Sequence, residues 1–289
     1  MKDYLGDTLI PIGMVLEGGG LRGIYTAGVL DCCLDYGIEC DAVIGVSAGC
    51  AHGGSYISRQ RSRSLRVNTD YLRDKRYISL WSLLTTGDMI GAEFVYQTIP
   101  DQLDVFDYET FKNSRTRLYA TVSNLDTGLA EYIWLNDLPG DMDILRASAS
   151  LPLISKIVEI KGKKYMDGGV CDSIPIRAAI QLGYEKNIVV LTQPEGFQKR
   201  PSREAKLIAW SYRKYPRFVE AARNRHLNYN ASLQTIQQEE QAGRAFVFRP
   251  SRHLSIKRLE KNRDRVIAMY ELGFTDATSR MKALKDWLG

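Results

Sequence analysis

The sequence lacks the features that mark secreted, membrane-spanning and zinc-binding chains. Its five cysteines are an odd number and form no Cys-x-x-Cys pair, which disfavours a disulfide framework and favours a reducing compartment. No run approaches the roughly 20 apolar residues of a membrane-spanning helix. The N-terminal apolar run is broken by proline and glycine and shows no signal-peptide cleavage site. We therefore expect a cytoplasmic protein.

Histidine is equally scarce, and this restricts the acid–base groups available to the chain. His52, His226 and His253 are its three histidines. His52 is expected on the helix that follows Ser47 and turned away from it, while the other two lie in arginine-rich stretches without small neighbours. A serine–histidine–aspartate arrangement using Asp167 stays open on these grounds, but the surroundings of the histidines favour surface or structural roles.

Charge is uneven along the chain. The net charge is +5, and the residues after 198 contain about twice as many basic as acidic side chains. No zinc-finger spacing, heptad or aromatic–basic repeat accompanies this excess, so we expect no nucleic-acid partner. The basic region could be a set of solvated helical faces, or it could contact an anionic membrane surface. Oligomeric state is not predicted by any pattern in the chain.

Short β-branched runs alternate with helical segments in the first half of the sequence. A strand at 12–16, a helix at 21–36 and a second strand at 42–47 form a βαβ unit, which predicts a parallel sheet and an α/β fold. Further strands are predicted at 117–123, 129–135, 187–192 and 245–248, with a hairpin that ends at Asp167.

Two regions are predicted from composition. Residues 8–195 hold most of the strands and form the expected catalytic domain, while residues 196–289 are mainly helical and basic. The predicted strand at 245–248 leaves open whether the second region packs on the core of the first. Residues 59–115 show no clear strand. Five apolar residues of this segment could cap a site or belong to the core: Trp81, Leu83, Leu84, Met89 and Phe94.

The stretch EGGGLRG follows the first strand and admits two interpretations. Gly18, Gly20 and Gly23 fit the dinucleotide pattern G-x-G-x-x-G. A nucleotide fold also needs an acidic residue at the C-terminal end of the second strand, whereas Glu39 and Asp41 precede that strand. A Walker lysine is missing as well. Nucleotide binding is therefore the weaker interpretation.

The pentapeptide GVSAG indicates what the glycines hold instead. G-x-S-x-G between a strand and a helix is typical of a nucleophile elbow, in which Gly45 and Gly49 leave room for the sharp turn that exposes Ser47. In a parallel sheet the elbow and the Gly18–Gly20 loop meet at the same edge. Backbone N–H groups of that loop could then bind the oxyanion formed when Ser47 attacks a carbonyl group.

Asp167 is the candidate base. It ends a predicted strand and is followed by Gly168 and Gly169, so its carboxylate could reach a neighbouring elbow. An Asp-Gly pair is also a common turn former. A carboxylate is ordinarily a poor base, and burial beside Ser47 would raise its pKa toward a useful value.

The motifs EGGGLRG, GVSAG and DGG, in this order and with RASASLPLIS between the last two, resemble those of the patatin-like phospholipases over roughly residues 12–192. The resemblance implies a three-layer α/β/α fold with a mostly parallel central sheet. It also implies a Ser–Asp dyad, with Ser47 as nucleophile and Asp167 as base, and no cofactor or metal. The residues that it implies around the dyad are Gly18, Gly19 and Gly20 as the oxyanion hole, Arg22 steadying that loop, and Gly23, Gly45, Gly49, Gly168 and Gly169 as motif support.

These observations predict a serine acyl hydrolase of the phospholipase A, lysophospholipase or esterase type, acting on a lipid or lysolipid through an acyl-Ser47 intermediate. The alternative is a non-catalytic protein on the same fold that binds lipids or acyl chains. Glu17 departs from the residue that many members of the family carry, and it removes no catalytic group.

Overall fold

The computed structural model describes residues 10–289. Residues 1–9 lie outside this range, and with them part of the N-terminal run and the first two residues of the predicted 8–195 region. The strands described are β1 (Ile12–Leu16), β2 (Ala42–Val46), β3 (Arg117–Asn124), β4 (Ala130–Leu135), β5 (Val158–Ile160), β6 (Lys163–Asp167), β7 (Lys186–Val190) and β8 (Ala245–Phe248). The α-helices are α1 (Ile24–Asp35), α2 (Ala48–Ile57), α3 (Arg63–Asp70), α4 (Leu80–Thr86), α5 (Tyr108–Asn113), α6 (Met142–Ser148), α7 (Ile176–Gln181), α8 (Ala205–Ser211), α9 (Pro216–Gln241) and α10 (Arg263–Leu288). A π-helical segment spans Phe94–Leu103, and 3-10 turns span Gly20–Gly23 and Gly168–Val170.

The strands form one mixed sheet that is parallel through its centre. Its order is β5-β6-β3-β2-β1-β7-β8, with β4 paired to β3. The run from β3 to β8 is parallel, while β4, β5 and β6 are antiparallel to their neighbours. In a parallel sheet the carboxyl ends of the strands share an edge, so the turns after β1 and β2 are brought together.

Helices cover both faces of this sheet. Successive side chains of β1 point to opposite faces, and both sets are buried. Met14 and Leu16 lie in a core with residues of α1 and α10, whereas Val15 points to the opposite side, where Ile176 of α7 and Tyr229 of α9 pack. Strands buried on both faces are typical of parallel sheets, and their β-branched sequences reflect this. The expected three-layer α/β/α fold with a mostly parallel sheet is confirmed.

The C-terminal region shares this sheet and this core. In β8, Val247 is in register with Val189 of β7, so the sheet continues across the predicted boundary near residue 195. Helix α10 crosses α1 at close range, because a Cβ atom at Gly28 would lie 2.1 Å from a Tyr270 oxygen and one at Gly273 would lie 2.1 Å from a Tyr25 oxygen. Glycine is required on both helices for this approach.

Residues 59–115 form short helices joined by loops, and the five apolar residues singled out above differ in how far they are buried. Phe94 is 4% exposed and packs with Met89 in a small core of their own, whereas Trp81 is 51% and Leu84 is 86% exposed. Leu83 is half-buried. Among residues 10–289, no helix combines the length and the apolar character needed to cross a bilayer.

Candidate active site

Ser47 occupies a strained turn between β2 and α2. Its φ of 55° and ψ of −122° place a non-glycine residue in left-handed backbone space, as in a nucleophile elbow. A Cβ atom at Gly45 would lie 2.5 Å from the Cys50 Cα, and one at Gly49 would lie 2.7 Å from the Leu16 carbonyl oxygen. No side chain fits at either glycine: Gly45 is required by the tight turn itself, and Gly49 by the close approach of β1.

Ser148, the last residue of α6, links the elbow to the neighbouring strand β3. Its Oγ accepts a hydrogen bond of 3.0 Å from the Ser47 N–H and donates one of 2.7 Å to the Thr121 carbonyl oxygen. All three groups are buried. Sequence reasoning did not identify this role; the segment RASAS was the one local signal that pointed to the region.

Asp167 ends β6 and is 2% exposed. The Ser150 carbonyl oxygen accepts its N–H at 2.8 Å, and the Ser123 hydroxyl donates to its carbonyl oxygen at 2.8 Å. A Cβ atom at Gly168 would lie 2.1 Å from the Thr121 carbonyl oxygen, so the chain needs glycine where it leaves β6 against β3. These contacts fix the Asp167 backbone against β3, the strand that pairs with β2 next to the elbow.

The Asp167 carboxylate is only half satisfied. Oδ1 accepts the Gly169 N–H at 2.7 Å, while Oδ2 has no partner with hydrogen-bond geometry among residues 10–289. Burial raises the pKa of Asp167, and the Arg225 charge, the Ser47 hydroxyl and the Gly169 N–H each oppose that rise. Strand register places the two residues at the same sheet edge: Val46, which precedes Ser47, pairs with Thr121 of β3, and Asp167 pairs with Val122 of β3. A serine hydroxyl beside a free carboxylate oxygen is the pair that proton removal requires.

The glycine loop after β1 lies directly against the elbow. A Cβ atom at Gly18 would lie 3.1 Å from the Val46 carbonyl oxygen, and one at Gly23 would lie 2.9 Å from the Ala48 Cβ. Both neighbours flank residue 47 in the chain. The absence of side chains at these positions is thus what allows the loop to reach the turn at Ser47.

The N–H groups of this loop differ in what they bind. Gly18 donates to the Ser173 carbonyl oxygen at 3.4 Å. The N–H groups of Gly19 and Gly20 donate to no group in the described part of the chain, and Gly20 has a φ of 57° that only glycine adopts readily. Two free amide donors therefore remain beside the elbow.

Glu17 and Arg22 frame the same loop. Glu17 is 1% exposed, and its carboxylate accepts the Thr192 N–H at 2.6 Å and the Tyr229 hydroxyl at 2.8 Å. Arg22 donates to the Thr192 hydroxyl at 3.4 Å, and burial lowers the pKa of its guanidinium while the Glu17 charge opposes that shift. In the sequence, Glu17 is only a departure from the residue that many members of the family carry. In the structure, it links the end of β1 to Thr192, just after β7, and to Tyr229 of α9.

The three histidines lie in other surroundings. His52 is buried, its Nδ1 lies 3.0 Å from the Ser64 Oγ, and burial lowers its pKa to about 4. His226 contacts the carbonyl oxygen of its own helix at residue 223, and His253 is exposed. Within residues 10–289, no hydrogen bond links any of them to Ser47 or Asp167.

Metal and nucleotide binding find no support in the side chains. Among the described residues, no group of three or more His, Cys, Asp or Glu side chains is arranged to hold a metal ion. Asp41 lies at the start of β2 and accepts the Ile12 N–H at 2.7 Å, at the sheet edge opposite to Ser47. The prediction that this acid lies at the wrong end of its strand for a ribose is confirmed.

The family comparison matches two parts of the chain. Residues 14–180 match the family described as patatin-like phospholipase, and residues 215–289 match a domain of unknown function, DUF6363. The first match covers all three motifs of the site. The second covers α9, β8 and α10.

Individual proteins are similar over part of their length. Uncharacterized protein YjjU of Escherichia coli (strain K12) is 27% identical over 203 residues, which are 69% of this chain and 57% of that protein. Lysophospholipase NTE1 of Meyerozyma guilliermondii is 30% identical over 189 residues, 62% of this chain and 12% of that protein. The crystal structure of VipD from Legionella pneumophila aligns with 95% of this chain and 67% of its own, at a TM-score of 0.46 and 10% identity. The chain thus spans just over half of the bacterial relative and a small part of the fungal one. By the extent of the family match, it belongs to the patatin-like phospholipases.

Proposed function

We propose that the chain is a serine acyl hydrolase that cleaves an acyl ester of a lipid or lysolipid, with Ser47 as nucleophile and Asp167 as general base. The observation that carries the proposal is a buried carboxylate with a raised pKa and an unused oxygen, set beside the hydroxyl of an elbow serine. A carboxylate whose pKa is raised by burial is a stronger base than an ordinary aspartate and accepts a proton more readily.

Acylation follows from this arrangement. Asp167 accepts the Ser47 proton as Oγ attacks the ester carbonyl carbon, and the carbonyl oxygen gains negative charge. The free N–H groups of Gly19 and Gly20 are the proposed donors to that oxygen, and each donor of this kind contributes roughly 2.7–4 kcal/mol in the transition state. The tetrahedral intermediate collapses, the C–O bond breaks, and Asp167 returns the proton to the leaving alcohol.

Deacylation repeats the cycle with water. Asp167 accepts a proton from water as its oxygen attacks the acyl-Ser47 carbonyl, the same donors hold the oxyanion, and the Ser47 Oγ leaves with the proton from Asp167. A free fatty acid is released and the enzyme returns to its starting state. The family match and the lysophospholipase name of the fungal relative support a lipid ester as substrate.

Covalent labelling tests this proposal. A fluorophosphonate probe phosphonylates an activated serine, so we expect one label per chain, carried by the peptide that contains Ser47, as measured by mass spectrometry. The Ser47→Ala chain should remain unlabelled, and Ser58→Ala is the matched control because it removes a buried serine hydroxyl at the far end of α2, where Oγ donates to the Ser55 carbonyl oxygen. Label on another residue, or undiminished labelling of the Ser47→Ala chain, would contradict the assignment.

We also propose that the enzyme works at a membrane surface. Helix α8 exposes Leu207 (53%) and Trp210 (69%), and basic side chains surround them in the sequence at Lys206, Arg213 and Lys214. Tryptophan beside lysine and arginine is typical of helices that bind anionic interfaces. The five cysteines form no disulfide, which is consistent with the cytoplasmic face of such a membrane.

Helix α4 also exposes apolar residues, Trp81 and Leu84, and both α4 and α8 are connected to the chain segment next to the site. Tyr212, which follows α8, accepts the Leu153 N–H at 3.2 Å, and Met89, which follows α4, donates its N–H to the Ile154 carbonyl oxygen at 2.8 Å. This segment begins after Ser150, whose carbonyl oxygen binds the Asp167 N–H. The residues that follow α4 and α8 therefore contact the same short segment, at residues 153 and 154, which comes soon after Ser150.

Trp210→Ala is expected to weaken binding to vesicles containing anionic phospholipid at least tenfold, because a large apolar contact with the interface is lost. Cosedimentation with such vesicles measures this. Trp134→Ala is the matched control, since Trp134 is 47% exposed and lies on β4, opposite Tyr119 of β3. Equal effects of the two substitutions, or no binding by the unaltered chain, would refute the membrane contact at α8.

A further inference from the structure

A cluster of cations lies around the catalytic residues, and most of it comes from the C-terminal region. We call Arg22, Lys199, Arg225 and Arg258 the cation cluster. Lys199 follows β7, Arg225 lies in α9 and Arg258 lies between β8 and α10. The proposed reaction assigns no role to these last three. Two of them fall within the matched domain of unknown function.

Arg225 lies against the turn that carries the general base. Its Nε and Nη2 atoms are each 3.4 Å from the Ser173 Oγ, and a Cβ atom at Gly169 would lie 3.2 Å from Nη2. Gly169 is two residues from Asp167 and donates its N–H to that carboxylate. The guanidinium is therefore beside the site where substrate must bind.

Arg258 lies against the glycine loop on the other side. Its carbonyl oxygen accepts the Leu21 N–H at 3.0 Å and would be 2.7 Å from a Cβ atom at Gly20. The backbone at residue 258 is thus fixed next to one of the free amide donors. The side chain of Arg258 is half-buried there.

Lys199 is held by two residues of α9, the helix that also binds Glu17. The Asn230 side chain binds both the N–H and the carbonyl oxygen of Lys199, at 2.8 and 3.1 Å. Its Nζ lies 4.3 Å from the centre of the Tyr229 ring, whose hydroxyl binds Glu17. The ammonium group is thereby held over α9, close to the loop after β1.

None of these four cations forms a salt bridge with a carboxylate in the described residues. Both oxygens of Glu17 are occupied by other donors. Elsewhere the chain pairs arginines of similar burial with carboxylates, for example Arg249 with Glu240 at 2.6 Å and Arg63 with Asp104 at 3.4 Å. Glu17 and Asp167 attract these cations, but four positive charges face two carboxylates, and the excess of half-buried positive charge favours an anion from outside the chain.

The cations also repel one another. Burial and, next, the Arg225 charge lower the pKa of Lys199 to about 7, and burial followed by the Arg258 charge lowers the pKa of Arg225. The same Arg258 charge acts on Arg22 and on Asp167. A bound anion would replace this repulsion with attraction at several side chains at once.

We propose that Lys199, Arg225 and Arg258 bind the phosphate group of a phospholipid or lysophospholipid substrate while its ester carbonyl lies at Ser47. Two guanidinium groups and an ammonium group around a tetrahedral phosphate are a common mode of phosphate recognition. This inference rests on the proposed acyl hydrolase activity. It gives the C-terminal region a role, because that region supplies the cations that select the substrate.

A matched pair of substrates tests the subsite. Lysophosphatidic acid and monoacylglycerol with the same acyl chain differ only in the phosphate. We expect the unaltered enzyme to prefer the phosphorylated substrate, and Arg258→Gln to reduce the ratio of the two kcat/KM values at least tenfold, mainly through KM. Arg252→Gln is the control, since Arg252 is exposed in the same loop and its loss changes net charge equally. An unchanged ratio in Arg258→Gln, or no preference in the unaltered enzyme, overturns the proposal.

Inorganic phosphate separates this inference from the proposed activity and identifies the source of the ligand. It should bind the full-length Ser47→Ala chain, as measured by calorimetry, and bind the Ser47→Ala/Arg258→Gln chain at least tenfold more weakly. Such binding without any ester hydrolysis by the unaltered chain would retain the subsite and refute the activity. Inhibition of lysophosphatidic acid hydrolysis but not of monoacylglycerol hydrolysis assigns the site to the headgroup. Equal inhibition of both assigns it to free phosphate and overturns the headgroup proposal.

Discussion

Replacement of Ser47 by alanine is expected to lower kcat/KM for lipid and p-nitrophenyl esters by about 10⁴- to 10⁶-fold, the range seen when a serine hydrolase loses its nucleophile. No acyl-enzyme can form without the hydroxyl, and the remaining N–H donors can only assist attack by water. Initial rates with both substrate classes measure the loss. A decrease of less than a hundredfold would show that another group performs the attack.

Ser47→Gly is the sharpest control for this result. Both variants lack the nucleophile, so both should be equally inactive. Glycine, however, also relieves the backbone strain at a φ of 55°, which costs of order 1–3 kcal/mol for a residue with a side chain. After the entropy that glycine gains on unfolding, the Ser47→Gly chain should exceed the Ser47→Ala chain in free energy of unfolding by about 1 kcal/mol. Urea denaturation measures this difference, and equal stabilities would argue against strain at the elbow.

The central strands and the tight turns could be predicted because their signals are local. A β-branched run such as 42–46 forms a strand buried on both faces, and the glycines around Ser47 are required by contacts within a few residues or with the adjacent strand. The glycine loop, the elbow and the strand that ends at Asp167 therefore lie where the sequence places them.

The residues that support the site from a distance could not be predicted in this way. Ser148 binds the Ser47 N–H across 101 positions, and Tyr229 binds Glu17 across 212. Nothing in the neighbourhood of either residue specifies its partner, because the contact exists only once helices have packed on the sheet. The same is true of Arg225 and Arg258, which look like solvated basic residues in the sequence.

In residues 59–115, the burial of individual apolar side chains could not be predicted from the sequence. Phe94 and Leu84 are both apolar residues of short helical segments, yet Phe94 is 4% and Leu84 is 86% exposed. Which of them becomes core depends on how the π-helical segment and α4 pack, and the sequence pattern there has too few turns to define a face. Burial in this region follows from tertiary contacts.

Asp167→Asn is expected to lower kcat/KM by about 10³- to 10⁴-fold with little change in structure, since the amide can still accept the Gly169 N–H but cannot take the Ser47 proton. The variant should fold with an unchanged circular dichroism spectrum. Asp172→Asn is the matched control, because Asp172 is a neighbouring carboxylate that binds the Tyr132 hydroxyl instead. Wild-type turnover in Asp167→Asn would remove the carboxylate from the mechanism.

The pH dependence of activity tests the environment of that carboxylate. The pKa of Asp167 is raised, chiefly by burial, so the active ionised form should be lost at a higher pH than for an ordinary aspartate, whose pKa is about 3.9. Arg225 opposes the rise, and Arg225→Gln should therefore move the acidic limb of the kcat/KM profile to still higher pH. The linked effect on stability has the opposite sense: a raised pKa in the folded state favours folding below the unfolded pKa, and that contribution is lost as pH rises through the folded value. An acidic limb at the position of a free aspartate, or one that moves to lower pH in Arg225→Gln, would mean that the group limiting activity is not a buried carboxylate held down by this arginine.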